Sequence, residues 1–205
     1  MRPAVFFDRD GTLNEELGYV GELERFHIYP YAAAAVRRVN ASGWPAILVT
    51  NQAGVARGLF TEAQVAVLHQ HLAAHLAAAG ARLDAIYYCP HHPTKGVNGY
   101  GIVCDCRKPK PGLLQRAAAE HELDLARSWI VTDRLAEIGM MQALGGRGAL
   151  VLTGYGAEDW AAWQAARSQP ATAAWEGLRP EGPDITAPDA LAAVEQLLAA
   201  ARAAR

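Results

Sequence analysis

Five short runs of apolar, β-branched and aromatic residues recur along the chain: AVFF (4–7), AILVT (46–50), AIYYC (85–89), WIVT (129–132) and ALVL (149–152). Each is continuously apolar where a half-exposed strand would alternate, so each reads as a strand covered on both faces. Alanine-rich stretches with helical spacing separate them. These predict helices at about 31–42, 61–79, 111–121 and 136–144, with a last one at 188–204. Thr61, just before Glu62, supplies an N-cap for the second. Strands alternating with helices predict an α/β fold, a doubly wound (Rossmann-like) parallel sheet with helices on both faces. Residues 155–183, with three tryptophans among proline, glycine and alanine, read as an elaborated surface segment. That segment should return to a short final strand near 184–186.

A chain of 205 residues that is 51% apolar can bury one sizeable core, so a single domain over 1–205 is expected. A monomer is also expected, though length and composition do not decide it. A net charge of −2 leaves no excess of positive charge for a nucleic-acid backbone. The acid cluster Asp8-Arg9-Asp10 behind the first apolar run is unlike a secretory signal, and the other apolar runs are too short to cross a bilayer. A cytoplasmic protein without a membrane partner is expected.

In an open parallel sheet, ligands bind at the carboxyl ends of the strands. Read in order, those ends carry Asp8 and Asp10, then Thr50-Asn51-Gln52, then Cys89 and His91, then Asp133. Three carboxylates from two strand ends make the hard oxygen site that magnesium prefers. Asp8 and Asp10 could alone be turn formers ahead of Gly11; agreement with Thr50 and Asp133 favours chemistry. Arg9 should alternate away from the two acids and be structural. His69, His71, His75 and His121 fall in predicted helices without acidic partners at useful spacing and read as solvated helix-face residues.

All three cysteines lie within residues 87–112, in two short chelating pairs, Cys89-Pro90-His91 and Cys104-Asp105-Cys106. Thiolate and imidazole ligands suit tetrahedral zinc, whereas a Cys-x-Cys pair is poorly placed to bridge itself. His92 is chemically as good a ligand as His91. Four protein ligands leave no position for a metal-bound water, so a zinc loop over 89–106 would be structural.

The segments DRDGTLN (8–14), VTNQAGVARG (49–58), CRKPKPG (106–112) and VTDRLAE (131–137) resemble the four motifs of the haloacid dehalogenase-like (HAD) phosphohydrolases. Within that superfamily the chain is most similar to the D-glycero-D-manno-heptose 1,7-bisphosphate 7-phosphatases, with the histidinol-phosphate phosphatases next. The resemblance implies a HAD-like fold without a large cap domain and an open site. It implies Asp8 as nucleophile, Asp10 as general acid and base, and Thr50 and Lys108 as holders of the phosphoryl oxygens. Magnesium would be held by Asp8, the Asp10 carbonyl and Asp133; zinc by Cys89, His91, Cys104 and Cys106. Glu16, Leu17, Gly18, Tyr19, Asn51, Gln52, Ala53, Arg107 and Arg134 would contact a phosphorylated sugar, the arginines suiting a second phosphate.

The length of the zinc loop and the continuation AGVARG point to the heptose substrate; histidinol phosphate or another small metabolite is the alternative. The fourth motif departs from the family, with Thr132 where glycine is usual and Glu137 where aspartate is usual. That departure motivates a second alternative, a catalytically weakened phosphosugar-binding protein.

Overall fold

In a computed structural model of the chain, residues 1–166, 177–179 and 181–203 are described. The elements run β1 (Val5–Phe7), α1 (Ala32–Ala41), β2 (Ala46–Asn51), α2 (Glu62–Ala78), β3 (Ala85–Cys89), α3 (Gly112–His121), β4 (Trp129–Thr132), α4 (Leu135–Ala143), β5 (Arg147–Val151), α5 (Gly156–Ala166), β6 (Ile185–Ala187) and α6 (Ala190–Ala203). The six strands form one sheet in the order β3-β2-β1-β4-β5-β6, and every pairing is parallel. This is the doubly wound arrangement expected from the sequence. No helix among the described residues is long and apolar enough to cross a membrane.

The strands are continuously apolar because both faces are covered. Val5, Phe7, Leu48, Val131 and Val151 face one way and pack with Val36 and Val39 of α1, Leu68 and Leu72 of α2, and Val194 and Leu197 of α6. Phe6, Ile47, Val49, Ile130 and Leu150 face the other way, toward Leu114 of α3, Ile138 and Met141 of α4, and Trp163. Neighbouring residues on a strand thus belong to two different cores, as the period of two requires. Thr61 caps α2 as expected: its hydroxyl accepts from the Gln64 amide and the Gln64 side chain accepts from the Thr61 amide, a reciprocal capping box.

Three expectations change. The segment after β5 is not wholly irregular: its first part is α5, which stacks Trp160 on Trp163 with ring centroids 4.9 Å apart and buries Trp163. Two tryptophans three apart lie on one helical face, which an alanine-rich composition obscured. The rest of that expectation, at 167–176 and 180, lies outside the described residues. His69 is 7% exposed, against the expectation of a solvated helix face. It follows Leu68 on the flank of α2, where the chain after β1 covers it. Arg9 does not alternate away from the acids, because β1 ends at Phe7 and strand geometry does not extend to it.

Candidate active site

The chain turns outward from β1 to β3 on one side and crosses to β4 on the other, so strand order reverses between β1 and β4. At their carboxyl ends lies a cleft lined by Asp8, Asp10, Glu16, Thr50, Asn51, Asp133, Arg134 and Tyr155. This is where an open α/β sheet presents a ligand site. Pairing of β1 with β4 sets Phe7 opposite Val131, which delivers Asp8 and Asp133 to the same point.

Lys108 is 4% exposed, and its ammonium lies 2.7 Å from Asp8 Oδ1. The ammonium also donates to Glu137 Oε2 at 2.8 Å and to the Val49 carbonyl at 2.9 Å. All three of its protons therefore have acceptors. Asn51 fixes the backbone of the same residue from both sides, donating to Lys108 O and accepting from Lys108 N at 3.0 Å each. Burial alone would disfavour the ammonium, but Asp8 and Glu137 outweigh it and raise the Lys108 pKa.

Burial, with Glu137 adding repulsion, pushes Asp8 up to about 7, and Lys108 offsets this only in part. Burial and the charge of Asp8 push Asp133 up to about 8. Buried carboxylates that raise one another in this way have the donor set and the uncompensated negative charge that a hard divalent cation would neutralise. The residues fit magnesium. Space around Asp133 is kept by two glycines: a Cβ at Gly11 or at Gly154 would come within 2.2 Å of Asp133 Oδ2. Gly11 has φ +75, which also favours glycine.

Asp10 is held from several directions. Arg9, 1% exposed, reaches it with Nε at 3.1 Å and Nη2 at 3.0 Å, Asn14 donates at 2.8 Å, and Gln52 Nε2 donates at 3.0 Å. Gln52 also donates to Thr50 Oγ1 at 2.9 Å, and Arg9 Nη1 lies 3.4 Å from His69 Nε2. Burial first, then the Arg9 charge, lowers the His69 pKa to about 3, so the ring is neutral and can accept from Arg9. Spacing could not reveal this network, since its members are 43 and 60 residues apart.

The other residues named from the sequence fall into three groups. Glu16 and Arg134 line the cleft, Arg134 lying over the Tyr155 ring and bonding Asp159. Leu17, Gly18 and Tyr19 are exposed beside Glu16, whose carboxylate accepts from the Gly18 amide. Gln52 and Ala53 are buried behind the cleft, and Arg107 donates to the His91 carbonyl. Sequence reasoning missed Tyr155, whose amide donates to Asp133 Oδ2 at 2.8 Å, because it follows a strand that carried no acid.

The second cluster joins Cys89, His91, Cys104 and Cys106, whose ligand atoms lie within 4.8 Å of one another. Their sulfurs are 3.2 to 3.5 Å apart, and Cys106 Sγ is 3.4 Å from His91 Nδ1. Those separations are too long for a disulfide and close to the roughly 3.8 Å edge of a tetrahedral zinc–thiolate site. The residues fit zinc. His92 instead turns Nδ1 to the amides of Thr94 and Lys95, so geometry separates the two histidines that composition could not.

The HAD-hydrolase-like family model matches residues 105–174. The chain is 44% identical over 153 residues to D-glycero-beta-D-manno-heptose-1,7-bisphosphate 7-phosphatase of Escherichia coli (strain K12), covering 74% of this chain and 80% of that protein. It is 46% identical over 159 residues to D-glycero-D-manno-heptose-1,7-bisphosphate 7-phosphatase of Thermosynechococcus vestitus, covering 76% and 81%. Its fold is similar to the crystal structure of D,D-heptose 1,7-bisphosphate phosphatase from B. bronchiseptica complexed with magnesium and phosphate. That similarity has a TM-score of 0.79 and 32% identity, covering 98% of this chain and 99% of that one. By sequence and by fold, the chain belongs to the HAD-like hydrolases, among the heptose-bisphosphate 7-phosphatases.

Proposed function

We propose that this protein is a magnesium-dependent phosphatase that removes the 7-phosphate of D-glycero-D-manno-heptose 1,7-bisphosphate. The observation that carries the reading is the buried Asp8–Lys108 contact of 2.7 Å, set beside Asp10, Thr50 and Asp133 at the point where strand order reverses. The substrate follows from the relatives' names and from the long zinc loop.

Asp8 attacks phosphorus, and its oxygen forms the new bond as the bond to the sugar oxygen breaks. Asp10 gives its proton to that leaving oxygen. A water then attacks the aspartyl-phosphate, yields a proton to Asp10, and frees Asp8 and inorganic phosphate. Lys108 would orient the nucleophile and offset the phosphoryl charge, and the Thr50 hydroxyl would donate to a phosphoryl oxygen. Magnesium held by Asp8, the Asp10 carbonyl and Asp133 would supply the positive charge that lets an anionic nucleophile meet an anionic substrate. Arg134 and Arg107 would hold further phosphate oxygens. Zinc on Cys89, His91, Cys104 and Cys106 would hold the loop that carries Arg107 and Lys108.

Release of inorganic phosphate from the heptose 1,7-bisphosphate tests the reading, with and without magnesium, against histidinol phosphate and other phosphate monoesters. Wild-type turnover should require magnesium, and Asp8→Asn should abolish it. Equal turnover by wild type and Asp8→Asn sinks the mechanism, and a clear preference for a non-heptose monoester sinks the substrate assignment.

A further inference from the structure

Arg57 takes no part in the reaction above, yet its guanidinium is held over Tyr19, three residues along from the cleft-lining Glu16, with one of its donors unmet. It follows β2 in the turn closed by Arg57 N donating to Ala53 O at 3.1 Å. Its guanidinium lies over the Tyr19 ring, 5.2 Å from the centroid, with Nη2 3.3 Å from His92 Nε2. Its Nε is buried and has no hydrogen-bond partner. Among the described residues, neither Arg57 nor Arg107 forms an ion pair with a carboxylate.

The histidine makes the arrangement informative. His92 Nδ1 faces the backbone amides of Lys95 at 3.1 Å and Thr94 at 3.3 Å, so Nδ1 accepts and the ring hydrogen sits on Nε2. The Nε2 hydrogen then meets the Arg57 Nη2 hydrogens, donor against donor. An acceptor oxygen between Arg57 and His92 would satisfy both groups, and a negatively charged oxygen would do so best.

The surroundings hold these groups in place. Ala56 N donates to the Pro90 carbonyl at 3.1 Å, and Val97 N donates to the Ala56 carbonyl at 2.8 Å, so the cysteine-bearing loop grips the Arg57 turn on both sides. Arg107 donates to the carbonyl of His91 at 3.2 Å, bringing a second guanidinium to the residue beside His92. Tyr19 belongs to the stretch whose Glu16 lines the cleft, and Arg25 pins that stretch through the Leu17 carbonyl at 3.1 Å.

We propose that Arg57 and His92, with Arg107 beside them, form an anion seat that takes the phosphate not hydrolysed, and that Arg57 sets the preference for bisphosphorylated sugars. The proposal rests on the phosphatase reading above and extends it to a residue that the sequence motifs left without a role.

The test is a preference ratio, kcat/KM for a bisphosphate over kcat/KM for the matching monophosphate. It is measured on heptose 1,7-bisphosphate against heptose 7-phosphate, and separately on fructose 1,6-bisphosphate against fructose 6-phosphate. Arg57→Met should lower the heptose ratio about tenfold or more, chiefly through the bisphosphate KM, as expected for losing a charge-assisted bond. Arg57→Lys keeps a positive charge without the fork and should lose less. A heptose ratio unchanged in Arg57→Met overturns the seat, as does an equal fall for both members of the pair. Should wild type show no heptose preference, the substrate assignment fails, while the fructose ratio still decides whether Arg57 holds a second phosphate.

Discussion

Thr132 and Glu137, the two departures from the motif that the fourth segment resembles, meet. The Thr132 hydroxyl donates to Glu137 Oε2 at 2.9 Å, and the same oxygen accepts from Lys108 at 2.8 Å. The added methylene and the added hydroxyl are thus one arrangement, which keeps a carboxylate against the lysine that touches Asp8. Glu137→Asp should withdraw that carboxylate and lower kcat/KM on the order of 100-fold, the scale of a misplacement of about 1 Å. Thr132→Val should cost less, and the double variant should fall short of the product of the two effects, because both act through one oxygen. Strictly independent effects in that double-mutant cycle would show that the two positions are uncoupled. The sequence exposed both departures, but not that they touch, since contact across five residues depends on how α4 leaves β4.

At the scale of elements, the loop between β3 and α3 is fastened by more than its cysteines. Glu62, in the first turn of α2, accepts from the hydroxyls of Tyr88 and Tyr100, which ties the loop to a helix. Chelation of zinc should therefore free the chain around Cys104 to Lys108 while the Tyr100 anchor persists. Hydrogen exchange should rise at 104–108 with the bisphosphate KM, and α2 should stay protected. Full activity in a verified zinc-free protein would break the link between this loop and substrate binding. The chelating pairs were legible because ligand type and spacing are local. The tyrosine anchor was not, because Glu62 and Tyr100 are 38 residues apart. The helix α5 was hidden for another reason: its apolar face is two tryptophans among alanines, too weak a periodic signal to separate helix from loop.

For the whole molecule, folding holds the His69 ring of α2 neutral, with its pKa near 3 against about 6.5 in the open chain. The unfolded chain then binds a proton that the native protein does not, so the destabilisation due to this group is absent above about pH 6.5 and grows as pH falls toward 3. The slope from this one group approaches ~1.4 kcal/mol per pH unit. Denaturant unfolding at a series of pH values should show His69→Gln with a shallower decline between pH 6.5 and 4 than wild type. Identical slopes would mean that His69 does not carry this dependence. No sequence pattern announced it, because β1, the chain after it and α2 have to assemble before Arg9 and His69 face each other.

Features that depend on short-range chemistry were legible in one dimension: continuous apolar strands, helices between them, acids at strand ends, and paired metal-type ligands. Those properties follow from neighbours a few residues apart, so they survive reading in one dimension. Which groups meet depended on assembly in three dimensions: Lys108 with Asp8 and Glu137, Arg9 with Asp10 and His69, Arg57 with His92. Hydrogen bonds act over about 3 Å, and parallel strands require long crossovers. The contacts that define the chemistry therefore join segments that are remote along the chain.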